Sequence, residues 1–99
     1  MANNRTIRDA LDLWQMYHGQ TDARLMLDQF FFHQIIVHSD IFDNPDGYVH
    51  QTHIEIENWC KFTFGEDNYY RMFNKFWFNL ESDYILFTLT WGNFIVNQQ

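Results

Sequence analysis

Basic side chains are scarce in this chain. Six Lys and Arg stand against thirteen Asp and Glu, for a formal net charge of −7. Non-specific nucleic-acid binding rests on cations that neutralise phosphates, so this balance argues against nucleic acid as a partner. It suits a protein that meets a basic partner instead. Cysteine occurs once, at Cys60, which excludes an internal disulfide or a thiolate cluster. Glycine occurs four times and spells no phosphate-cradling loop. No apolar run approaches the roughly 20 residues needed to cross a bilayer. The N-terminal stretch MANNRTIRD lacks the apolar segment of a secretory signal. The expectation is a cytoplasmic protein with no membrane contact.

Aromatic residues are plentiful: 11 Phe, 4 Trp and 5 Tyr in 99 residues. Each buries roughly 150–250 Å², enough to give a small chain a real core. The length predicts one domain over 1–99, with an N-terminal helical extension over 1–29 and an α+β core over 30–99. Thr6 and Asp9 imitate a capping box. Ile7, Ala10, Leu11, Trp14 and Tyr17 follow at helical spacing up to Gly19, which predicts an amphipathic helix over 7–18. Thr21 and Asp22 are placed to cap a second helix over 23–29. The β-branched and aromatic FFFHQIIVHS predicts a strand over 31–38. DIFDNPDGY reads as a loop, with a turn at Asn44–Gly47.

Thr52 and Glu55 spell a second capping box, ahead of a helix ending at Gly65. YYRMF and KFWFN predict a strand pair, or one long strand bent at Asn74. The segment YILFTLTW is ambiguous. FTLTW alternates like a strand, but Ser82 and Asp83 as N-cap and Gly92 as stop favour a helix. A last strand falls at 93–97. From Phe31 the order is β-α-β-β-α-β, which predicts a ferredoxin-like βαββαβ sandwich with an added N-terminal amphipathic helix.

The combination WCKFTFG, then FWF, then ESDYILFTLTWG resembles a class of small uncharacterised bacteriophage proteins. Trp59, Cys60, Phe64, Gly65, Phe76, Phe78, Asp83, Phe87, Leu89, Trp91 and Gly92 carry the match, over about 40 residues. Tyr84 stands where a small residue commonly follows the Asp. The resemblance implies a phage origin and host cytoplasm. It carries no activity and no functional residues.

Candidates for chemistry are weak. His33, His38, His50 and His53, with Asp40, Asp43 and Asp46, supply metal-ligand types but match no common ligand spacing. Asp40, Asp43, Asp46 and Gly47 are spaced by three where a calcium loop uses two, and Pro45 intrudes. Glu55 and Glu57 point to different sides of a helix. Cys60 reads as a small core hydrophobe with no base beside it. No catalytic set and no cofactor site follow.

The sheet offers one surface. Alternation sends Phe76 and Phe78 one way and Trp77 the other. Phe32, Ile36, His38, Arg71, Lys75 and Trp77 are then placed on the far face, with Ile95 beside them. Aromatic and basic residues on a sheet face are how single-stranded nucleic acid is stacked. The competing reading is that residues 7–18 cover this face. The expected function is that of a small, acidic, non-enzymatic binding protein. Its target would be a host nucleic-acid-handling or defence protein. A single-stranded nucleic-acid binder and a minor virion component are the alternatives. The chain is expected as a monomer or homodimer.

Overall fold

A computed structural model of the chain describes residues 6–19, 23–42 and 50–98. Helices α1 (Ile7–His18) and α2 (Arg24–Phe30) come first, then strand β1 (His33–Val37) and a short helix α3 (Ser39–Phe42). Helix α4 (Gln51–Phe64) follows, then strands β2 (Tyr69–Met72) and β3 (Lys75–Phe78). Helix α5 (Glu81–Trp91), a 3-10 turn (Gly92–Phe94) and strand β4 (Ile95–Gln98) complete the order. The strands form one four-stranded sheet in the order β2-β3-β1-β4, every pairing antiparallel. The protein is therefore a mixed α+β fold.

Most element types agree with the sequence, and the ends show why some signals failed. Helix α1 starts as expected: Thr6 accepts from the Asp9 amide, and Asp9 accepts from the Thr6 amide. The Thr52–Glu55 capping box does not form. Helix α4 begins earlier, at Gln51, and His50 is the N-cap, its Nδ1 accepting from the Thr52 amide at 3.0 Å. Gly65 ends α4 with φ 82°, a conformation that favours glycine, and its N–H reaches the Lys61 carbonyl. Helix α5 is a helix, but Leu80 is its N-cap and no side chain caps it. Ser82 and Asp83 lie within its first turn. Gly92 is not a stop: it has right-handed φ and ψ and leads into the 3-10 turn, so β4 begins at Ile95. Residues 40–42, expected in a loop, belong to the helical turn α3, which buries Ile41 and Phe42. The caps at Thr21 and Asp22 and the turn at Asn44–Gly47 lie outside the described residues.

The sheet separates two apolar clusters. On one face Ile56, Cys60 and Phe64 of α4 and Phe87 of α5 pack on Ile35, Val37, Tyr69, Phe76 and Phe78. On the other, Ile7 and Leu11 of α1 and Met26 and Leu27 of α2 pack around Trp77. Helices α1 and α2 thus close the face that alternation left open.

The hairpin between β2 and β3 fixes which residue faces where. Directly opposed residues of an antiparallel pair share a face. Tyr69 opposes Phe78 and Arg71 opposes Phe76, while Tyr70 opposes Trp77 and Met72 opposes Lys75. Phe73, at φ 54°, takes the left-handed conformation needed to close this two-residue turn. Asn74 ties the turn to β1: its side-chain amide donates to the Val37 carbonyl, and its own carbonyl accepts from the Val37 amide, both at 2.9 Å.

Candidate functional site

The six residues placed on the far face do not form one surface. Trp77 is fully buried under α1 and α2. Its indole N–H donates to Asp28 Oδ1 of α2 at 2.9 Å, and Lys75 Nζ donates to the same oxygen at 2.9 Å. The Lys75 ammonium also stands 5.0 Å from the Trp77 ring centre. Burial pushes the Asp28 carboxyl up. The Lys75 and Trp77 hydrogen bonds and the charges of Lys75 and Arg24 outweigh it, and the group sits below the usual carboxylate range. Gln34, opposite Trp77 in the sheet, is buried and donates to the Phe31 carbonyl at 2.9 Å, serving the end of α2. Phe32 and His38 are exposed beyond the two ends of β1, and Ile36 is half-buried opposite Lys75. Around Trp77 this is a packed layer with its polar atoms satisfied, so that ring is closed to a stacking base, and the exposed Phe32 and His38 rings stand apart at opposite ends of the strand.

Arg71 is on the opposite face, a correction that follows from its register with Phe76. Ile95 is misplaced in the same way: it opposes Val37 and packs on the α4–α5 cluster. Arg71 Nε donates to Glu57 Oε1 of α4, and its Nη1 donates to the Phe73 carbonyl at 2.7 Å. The guanidinium lies 5.0 Å from the Phe42 ring centre, and Phe42 in turn meets the His53 ring at 4.3 Å. Tyr69 donates to the other oxygen of Glu57 at 3.5 Å. His53 Nε2 is 3.8 Å from Glu57, but burial and the Arg71 charge hold the imidazole below its ordinary pKa. At neutral pH it meets Glu57 as a neutral ring. Burial, with smaller contributions from Cys60 and Glu66, pushes the Tyr69 hydroxyl up to about 12.

A polar pocket of about 270 Å³ opens on this cluster, lined by Arg8, Lys61 and Arg71 with Glu57, Glu66, Tyr69 and Tyr70. Glu57 and Glu66 answer Arg71 and Lys61, and Arg8 adds a third cation to the lining. An apolar groove of about 380 Å³ runs between α1 and α2, past Leu13, Trp14, Tyr17, Met26 and Phe30.

No protein-family model, no curated protein and no solved structure matches the chain.

Among the described residues, no group of three or more His, Cys, Asp and Glu side chains is placed to hold a metal ion. His33 packs by Tyr84, His50 caps α4 and His53 faces Phe42, so the histidines are dispersed. Asp43, Asp46 and Gly47 of the acidic loop lie outside the described residues. Cys60 is fully buried and its thiol is pushed up by that burial, which opposes the thiolate a nucleophile needs. Glu55 is exposed and Glu57 is engaged by Arg71, so the two carboxylates do not meet. Sequence reasoning missed the Glu57–Arg71 pairing. The signal for it was parity across the Phe73–Asn74 turn, legible only once that turn is known to hold two residues.

Proposed function

We propose that the chain is a non-enzymatic, phage-encoded binding protein of ferredoxin-like topology that engages a basic surface of a host protein in the host cytoplasm. The phage origin rests on the resemblance of the Trp59–Gly92 segment. The topology is supported by the order β1-α4-β2-β3-α5-β4 with strands arranged β2-β3-β1-β4. The observation that carries the functional reading is the burial of Trp77. With that ring under α1 and α2, the sheet offers no stacking platform, and the acidic exterior is the feature left to act. Asp9 and Asp12 of α1 are exposed, as is Asp67, and the Arg8 amide donates to the Asp67 carbonyl, tying turn to helix. Such a surface steers a basic partner and raises its association rate.

The test is affinity capture from bacterial lysate at low salt, with the eluted partner identified by mass spectrometry. The expected result is a partner released by raising salt and bound at least tenfold more weakly by an Asp12→Lys/Asp67→Lys variant. A lysate that yields no partner sinks the reading. A partner indifferent to both salt and charge reversal sinks it too.

A further inference from the structure

The outer surface of the α4–α5 layer exposes several large apolar side chains among its polar ones. Helix α5 buries only Phe87 completely and rests on the sheet through Tyr84, Phe87 and Trp91. On its other side Ile85, Leu86 and Leu89 are 47%, 41% and 77% exposed. Helix α4 repeats the arrangement. Ile56, Cys60 and Phe64 face the core, and Ile54, Asn58 and Phe62 follow one another at four-residue steps on the side away from it. Phe62 is 96% exposed. The helices are neighbours, since Trp59 of α4 meets Phe87 and Trp91 of α5 at ring distances of 6.2 and 5.9 Å. An apolar helix of this kind is normally covered on all sides. Grouped exposed hydrophobics mark an interaction surface, where scattered ones need no explanation.

Charge identifies the occupant. Every Asp, Glu, Lys and Arg of the chain lies before residue 84, so α5 beyond Asp83 carries none. Two copies of a chain with net charge −7 repel wherever their acids approach. A two-fold interface sets each patch against its own image, so it needs a patch that is uncharged and self-complementary. Ile85, Leu86 and Leu89 meet that condition, and beside Ile54 and Phe62 the exposed Glu55 and Lys61 carry opposite charges, which a two-fold axis can set against each other. A basic partner gains no steering from this face. A membrane surface is a poor fit, because helices that lie on lipid combine their apolar side with Lys and Arg. We propose that this face is where two copies of the chain associate, helix layer against helix layer, leaving the acidic α1 side free. The patch is small beside a standard interface, which places the dimer among the weaker class.

Sedimentation velocity on the full chain, over about 1–200 μM, tests this. The expected result is a reversible monomer–dimer equilibrium. Leu89→Asp or Phe62→Asp should raise its dissociation constant by at least about tenfold, with the far-ultraviolet spectrum unchanged. Both residues point outward, so neither change touches the core. Leu25→Asp, at a residue of α2 that is 80% exposed, should leave the dimer intact. A chain that stays monomeric throughout overturns the proposal. So does a dimer that survives Leu89→Asp and Phe62→Asp together, or one that Leu25→Asp alone abolishes.

Discussion

Under α4 and α5 the sheet meets a continuous set of rings. Phe87 lies 4.9 Å from Phe76 and 5.3 Å from Phe78, and Phe64 lies 5.7 Å from Phe78 with its ring nearly perpendicular. Under α1 and α2 the sheet contributes one fully buried ring, Trp77, and the helices answer with Ile7, Leu11, Met26 and Leu27. The first face is held by many aromatic contacts, each adding about 0.5–1.5 kcal/mol beyond its buried area. The second combines aliphatic packing with one buried indole N–H that must find an acceptor. The same sheet therefore has one face that tolerates no loss of shape and one that depends on a single polar partner.

The comparison breaks most visibly at Phe87. It touches Trp59, Phe76 and Phe78, and Phe87→Ala should cost about 3–5 kcal/mol in urea unfolding. Leu27→Ala, also fully buried but among aliphatic neighbours, should fall toward the lower end of a range of about 2–5 kcal/mol. If Leu27→Ala proves the more damaging, the α1–α2 side is the principal core and the ranking of the faces reverses.

A second measurement isolates the polar partner. Asp28→Ala leaves the Trp77 N–H buried without an acceptor, a loss of about 1–3 kcal/mol. Asp28→Asn keeps an oxygen there and loses only a half-exposed charge pair with Lys75, so it should cost less than about 1 kcal/mol. Acid titration carries the sign. The folded Asp28 carboxyl sits below its ordinary value of 3.8, so its contribution is complete above about pH 4 and disappears as pH falls through the folded pKa. Asp28→Asn should flatten that acid limb of the stability curve. Equal losses in the alanine and asparagine variants would remove the indole hydrogen bond from the account.

Trp77 also shows how far the sequence reaches. Alternation along KFWFN separates it from Phe76 and Phe78 correctly, because a period of two leaves no freedom. The capping box at Thr6 and the spacing up to His18 predict α1 with its observed ends. Arg71 went to the wrong face because the turn at Phe73–Asn74 lacks the Asn-Gly pair that marks a two-residue hairpin. Its geometry is imposed instead by Asn74 bonding to Val37, a residue 37 positions away, and local patterns cannot see that. The exposure of Phe62 and Leu89 is not legible in the sequence, because hydrophobicity alone does not say which side of a helix meets the sheet. The covering of Trp77 by α1 was written in Ile7 and Leu11, whereas the part taken by Met26 and Leu27 of α2 was not read from the sequence. The sequence offered the covering by α1 as one of two destinations.

The smallest effects belong to the helix starts on the two sides. Helix α1 has a reciprocal cap, in which Thr6 and Asp9 each serve the other's amide. Helix α4 has a single acceptor, His50 Nδ1 on the Thr52 amide. An N-cap side chain is worth about 0.5–2 kcal/mol, so Thr6→Ala should lie within that range. His50→Ala should lie at or below its lower end. The imidazole serves one exposed amide, and water can replace it. Thr52 contributes only its backbone N–H, and its hydroxyl makes no hydrogen bond to another described residue. Thr52→Ala should therefore change stability by less than about 0.5 kcal/mol, the scale of an ordinary surface substitution. The order of denaturant midpoints among the three variants is the check. A Thr52→Ala loss larger than that of His50→Ala would return the N-cap of α4 to Thr52 and start the helix two residues later in the chain.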